Sequence, residues 1–148
     1  MAHYALLDEN NVVTSVIGGV DDDKETEYAE KFGCTVKRTS YNTVNGIHLL
    51  GGTPFRFTYA GKGMTYDATN DVFIPEGKTW NADEGMPMKP KPTDKDGQSC
   101  ESWVRDTSIN EWKAPLDVPA DAETTHYEWD ESAYQADNTT GWVVTTPE

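Results

Sequence analysis

The chain has 148 residues, with 26 acidic against 12 basic side chains and a formal charge of −14. That balance excludes docking on nucleic-acid phosphates or on an anionic membrane, since both need clustered Lys and Arg. No run approaches the ~20 apolar residues of a membrane span, and Met1-Ala2-His3-Tyr4 lacks the basic start and apolar stretch of a signal peptide.

Hydrophobic residues make up 36% of the chain, which allows only a thin core. Five Trp, seven Tyr and four Phe offset this, because each ring can bury about 150–250 Å². Cys34 and Cys100 are far apart and in no metal-like spacing, so two reduced, buried thiols are expected.

In chain order, Tyr4–Leu7 and Val12–Ile17 are β-prone runs around the polar tetrapeptide Asp8-Glu9-Asn10-Asn11, which predicts a hairpin. A short helix is predicted over Lys24–Phe32. Asp21-Asp22-Asp23 should cap it, Gly33 should end it, and Tyr28, Ala29 and Phe32 should share the face that lies on a sheet. Cys34–Tyr41 follows as a strand with Val36 as its core residue. Turn signals at Asn45-Gly46 and at Gly51-Gly52-Thr53-Pro54 break up residues 42–63, where no phosphate-binding glycine loop occurs.

A pattern then recurs. Met64–Pro75 and Trp103–Pro115 each hold a strand, an Asp that opens a turn, small polar residues, and an aromatic on the return strand. Asp67 to Phe73 and Asp106 to Trp112 share one spacing, and a longer copy runs from Tyr127–Asp130 to Trp142-Val143. The Asp carboxylate should accept a backbone N–H two residues on. Aromatics on the paired strands should meet on one face.

Between the copies, residues 76–102 carry Pro87, Pro90 and Pro92 with Lys89, Lys91 and Lys95, a composition that favours an extended arm. Residues 1–74 hold 10 acids and 6 bases, net −4, while residues 75–148 hold 16 acids and 6 bases, net −10. All five tryptophans lie in the second part. The expected organisation is an α+β platform at 1–75, the arm at 76–102 and a Trp-rich hairpin module at 103–148. The fold class is mainly β with one short helix.

No catalytic frame emerges. His3, His48 and His126 are widely separated, and no Gly-x-Ser-x-Gly turn singles out a nucleophile. Asp94-Lys95-Asp96-Gly97 resembles part of a calcium loop, but Glu101 comes too early for an EF-hand, and turn formation explains the same letters. No metal and no cofactor are expected. The candidate partner-binding residues are Trp80, Trp103, Trp112, Tyr127, Trp129 and Trp142, because Trp and Tyr dominate interface anchors. Supplying a small core is the competing role for at least two of the hairpin tryptophans.

Tyr41-Asn42-Thr43, Gly46-Ile47-His48, Gly51-Gly52-Thr53-Pro54, Tyr59-Ala60-Gly61, Thr65-Tyr66-Asp67 and Phe73-Ile74-Pro75 resemble a family of small proteins from marine tailed bacteriophages, especially those of cyanobacteria. Met1-Ala2-His3, Leu7–Val13, Glu111–Pro115 and Tyr127–Glu131 match the same family. Residues 76–101 depart from it, since family members have a short Pro-rich link there. The resemblance implies a virion structural protein and carries no catalytic residues. The resulting expectation is a non-enzymatic capsid decoration or cement protein on the particle exterior, made in the host cytoplasm. Its partners would be other virion proteins, the major capsid protein first, and further copies of itself, with no nucleic acid and no membrane. The alternative is a tail-fibre, neck or baseplate component that binds host glycans through exposed aromatics.

Overall fold

The computed structural model describes residues 2–19 and 21–145. It is mainly β, with antiparallel pairings and two short helices, and divides into the units Met1–Lys89 and Pro90–Glu148.

In the N-terminal unit the apolar run His3–Leu7 forms β1, the middle strand of a sheet ordered β2-β1-β3. Its neighbours are β2 (Val13–Gly18) and β3 (Thr35–Thr39), and Ala5 pairs with Val16 on one side and Lys37 on the other. Successive side chains of a strand point to opposite faces, so a strand that is apolar at every second position on both faces feeds two cores. Ala5 and Leu7 join Val13, Ala60, Tyr66 and Phe73 in one. Tyr4 joins Ala2 and Val36 in the other, covered by Tyr28 and Ala29 of helix α1 (Glu25–Phe32).

Helix α1 ends as expected, with Gly33 at φ 67 donating its N–H to Ala29. Its start differs. Lys24 occupies the N-cap position and no side chain caps the helix, so the Asp21–Asp23 triplet does not serve as a cap. The Tyr4 hydroxyl holds this turn instead, donating to the Asp21 carbonyl and accepting the Lys24 N–H. Phe32 is exposed, which removes it from the buried face.

Small hairpins complete the unit: β4 (Thr43–Val44) with β5 (Ile47–His48), β6 (Thr65–Asp67) with β7 (Val72–Ile74), and β8 (Thr79–Asn81) with β9 (Met86–Met88). The last lies inside the segment expected to run as an extended arm. Trp80 pairs with Pro87, and Pro87 and Met88 are buried. Burial of these two side chains favours pairing where proline content alone suggests extension. The boundary between units, at Lys89, also falls inside that segment.

In the C-terminal unit β10 (Val104–Asp106) pairs with β11 (Glu111–Lys113), and β12 (Tyr127–Trp129) with β13 (Trp142–Val144). A second helix, α2 (Glu131–Ala136), lies between the last two, one more than the sequence reading expects. The repeated Asp behaves as its chemistry requires. Asp67 accepts the Thr69 N–H at 2.9 Å, Asp106 that of Ser108 at 2.9 Å, and Asp8 that of Asn10 at 2.8 Å. The two equal copies share a further circuit. Asp71 and Asn110 both sit at φ 55, and each accepts from the residue before the turn-opening Asp, Tyr66 and Arg105 respectively.

Arg56 ties the N-terminal unit together. Its guanidinium bonds to Glu25 at 2.8 Å and to the Arg38 carbonyl at 2.9 Å, and pairs with Asp71 at 2.8 Å. Glu25 also accepts the Arg38 N–H at 2.6 Å. Arg56 and Phe57 both have positive φ, 48° and 70°, a conformation that costs a side-chain-bearing residue on the order of 1 kcal/mol or more. Burial and then the bond to Asp71 push the Tyr66 phenol up to about 12. Arg56→Ala keeps the strained backbone and removes its partner contacts. The side chains left behind are partly hydrated, so the expected loss is about 2 kcal/mol, between the values for exposed and buried ion pairs. Urea denaturation of the full chain measures it; an unchanged midpoint would contradict this role.

Candidate functional site

The site is built on the β12–β13 pair. Trp129 and Trp142 face each other across it, with ring centroids 5.1 Å apart at 76°. Trp103, just before β10, packs edge-on to Trp129 at 6.0 Å and 86°, and tilted to Trp142 at 6.3 Å and 60°. Tyr134 of α2 closes the cluster 5.5 Å from Trp129. Gly141 makes this packing attainable, since a Cβ there would lie 2.4 Å from the Trp129 ring.

Polar groups fix the rings. Trp129 Nε1–H donates to Glu131 at 3.0 Å, and Trp142 Nε1–H donates to the Leu116 carbonyl at 2.8 Å. Trp103 Nε1–H is buried with no partner among the described residues. Glu131 is 1% exposed and also accepts from the Ser102 N–H, the Ser102 hydroxyl and Gln135. Burial pushes its carboxyl up, but the bonds from Ser102, Trp129 and Gln135 outweigh burial and hold it below the usual glutamate range.

The Asp94 turn packs beside the rings. Asp94 accepts the N–H groups of Asp96, Gln98 and Glu131, each at 2.9 Å, and Lys95 N–H donates to the Trp129 carbonyl at 3.1 Å. Between this turn and the rings lies a recess of about 290 Å³, lined by Asp94, Lys95, Glu128 and the three tryptophans. A second recess of about 310 Å³ is bordered by the same Trp103 and Trp142 together with Leu116 and Val118. Half-buried Trp103 and Trp142 therefore border both.

The structure thus brings Trp103, Trp129 and Trp142 together. Trp129 is a core residue, 4% exposed. Trp112 is half-buried on β11, with the Lys91 ammonium 5.0 Å over its ring. Tyr127 donates its hydroxyl to Asp121 at 2.8 Å, a bond that lowers the Asp121 carboxyl and raises the phenol. Trp80 lies in the N-terminal unit, on β8.

Asp94, Asp96 and Asp130 have oxygens within 4.8 Å of one another, the one such acidic group among the described residues. Lys95 Nζ sits 3.1 Å from Asp96 and 3.9 Å from Asp130 and offsets part of that charge. His48 Nδ1 accepts the N–H groups of Leu50 and Gly52, and His126 lies 3.3 Å from Glu128. Both cysteines are free. Cys100 is buried, and burial followed by nearby Glu131 and Asp94 raises its thiol to about 11; Cys34 is half-buried.

Glu128, Glu131 and Tyr134 escape the sequence reading as site residues, and Asp94 enters it only as a turn former. One signal for part of this set was present: Asp130 followed by the helix formers Glu131–Ala136 is an N-cap pattern, and Asp130 does accept the Ala133 N–H.

Three more carboxylates of this unit are held low by the hydrogen bonds they accept: Asp94 from Glu131 first, Asp106 from Ser108, Asp137 from Thr139. A carboxyl lowered in the folded state adds stability above its ordinary value and loses it as pH falls through the lowered one. The urea midpoint of the full chain will therefore be lower at pH 3 than at pH 6. A midpoint that rises on acidification would mean that relief of the −14 charge dominates.

No family model matches the chain, and neither does any curated protein or solved structure.

Proposed function

We propose that this chain is a non-enzymatic structural protein of a tailed-phage particle, a decoration or cement protein on the capsid exterior, which attaches through the tryptophan recess of its C-terminal unit. The observation that carries this reading is the placement of Trp103 and Trp142 in the wall between two recesses. Large rings that are half-buried and bordered by open space are the form that interface anchors take. The resemblance of residues 41–75 to the marine phage family is the ground for taking the particle as the setting. A strongly acidic chain on an outer surface would also keep particles apart.

Glycan binding by a tail fibre has less support. Stacking on a sugar needs ring faces side by side, whereas these three rings meet at 60–86°. Quantitative mass spectrometry of purified particles from the phage that carries the gene tests the proposal. Copies in the hundreds per particle are expected. A count matching one ring at the neck or baseplate would overturn the capsid placement, and absence from particles would overturn the virion role.

A further inference from the structure

We propose that His48 is a proton-operated latch in the N-terminal unit: neutral, it holds the turn that presents Leu49 and Leu50, and protonated, it releases that turn. The latch shares no residue with the tryptophan recess and works whatever that recess binds.

Its geometry defines the state of the ring. His48 Nδ1 accepts two backbone N–H groups, from Leu50 at 3.1 Å and from Gly52 at 3.0 Å. An imidazole nitrogen accepts only through its lone pair, so Nδ1 carries no proton here and the neutral ring keeps its hydrogen on Nε2. The rest of the turn fits this arrangement. Gly51, at φ 78, donates to the His48 carbonyl at 3.0 Å, and a Cβ on Gly52 would lie 3.1 Å from the imidazole. The Leu49 N–H closes the end of the hairpin on the Asn42 carbonyl at 2.7 Å.

A neutral imidazole in water takes up its second ring proton at about pH 6.5. On His48 that proton would occupy the lone pair that both N–H groups share. Two bonds are lost together, and a donor then faces two donors. Residues 39–55 hold no Asp, Glu, Lys or Arg, and Tyr41 is their one other titratable group. The segments packed against the hairpin bring His3, edge-on to Tyr41 at 5.2 Å, Arg56, held by Glu25 and Asp71, and Lys78, which donates to Asn45 at the opposite end of the hairpin. Among the described residues no carboxylate bonds to His48, so none holds the protonated ring in place.

What the latch controls is an apolar tip. Leu50, 77% exposed, is the most exposed large hydrophobic side chain among the described residues, and Leu49 beside it is 61% exposed. Neutral His48 fixes the direction of this pair, and acid frees it.

NMR of the ¹⁵N-labelled full chain from pH 8 to pH 5 tests the latch on the His48 ring and on the Leu50 and Gly52 amides. At pH 8 the ring should be the Nε2–H tautomer. Both amide signals should then move with the titration of the His48 ring. Hydrogen exchange at Gly52, corrected for base catalysis, should rise about tenfold across it, the equilibrium equivalent of one net hydrogen bond. His48→Asn keeps a side-chain acceptor two residues from Leu50 and removes the proton site, so its Leu50 amide should stay in place over the same range. Amides that ignore the His48 titration, a neutral ring with its hydrogen on Nδ1, or an Asn variant with the wild-type pH response would each overturn the proposal.

Discussion

Trp129→Ala will destabilise the C-terminal unit by about 3–5 kcal/mol, the usual cost of emptying a buried aromatic site. The ring is 4% exposed and packs against Trp103, Trp142 and Tyr134, so truncation leaves a cavity that three other side chains border. It also strands the Glu131 carboxylate that the indole N–H served. The opposite side cannot close the gap cheaply, because the Gly141 backbone already lies against the ring. Amide hydrogen exchange on the full chain will show β12 and β13 losing protection, and the tryptophan fluorescence transition in urea will move to lower denaturant. Trp129→Phe should do less harm, since it keeps one ring and loses the bond to Glu131 and only part of the indole volume. If alanine costs less than 1 kcal/mol, Trp129 is not the centre of this unit.

Glu131→Ala is the second large effect, at about 3 kcal/mol. The carboxylate accepts from four donors: the Ser102 N–H at 3.1 Å, the Ser102 hydroxyl at 2.6 Å, Trp129 Nε1 at 3.0 Å and Gln135 at 2.7 Å. Hydrogen bonds to a charged group contribute about 1.5–3 kcal/mol each, and buried donors left unpaired cost more than exposed ones. The half-buried Ser102 hydroxyl and the exposed Gln135 amide can turn toward water, whereas the Trp129 indole N–H cannot, which keeps the total below the sum. A double-mutant cycle with Trp129→Phe should show coupling of about 1 kcal/mol. Additive effects would mean that the indole–carboxylate bond is incidental.

How much of this was readable from the letters depends on where the determining contacts lie. Asp8, Asp67 and Asp106 act on N–H groups two residues away, and Gly33 acts on its own backbone, so turn and cap chemistry exposed them. The apolar run Tyr4–Leu7 announced the strand found at His3–Leu7, and Val36 a core position, because burial follows apolar pattern. The misplaced features have distant causes. Asp21–Asp23 looks like a helix cap, but Tyr4 reaches across 20 residues to hold Lys24. Pro87 reads as part of an arm, but pairing with Trp80 and burial beside Met88 put it in a hairpin. The tryptophans were legible as candidates. Which of them converge was not, because Trp103 joins Trp129 and Trp142 only through packing between separate hairpins. Glu131 was hidden for the same reason: Ser102 lies 29 residues away.

Co-sedimentation tests the attachment claim most directly. Purified wild-type protein and the Trp103→Ala/Trp142→Ala variant, shown to be folded by retained amide protection in β12 and β13, are each mixed with expanded capsids that lack the protein. The wild type is expected in the pellet and the variant in the supernatant. A variant that pellets as well as the wild type, or a wild type that ignores capsids and binds tails, would contradict attachment of this chain to the capsid through the tryptophan recess.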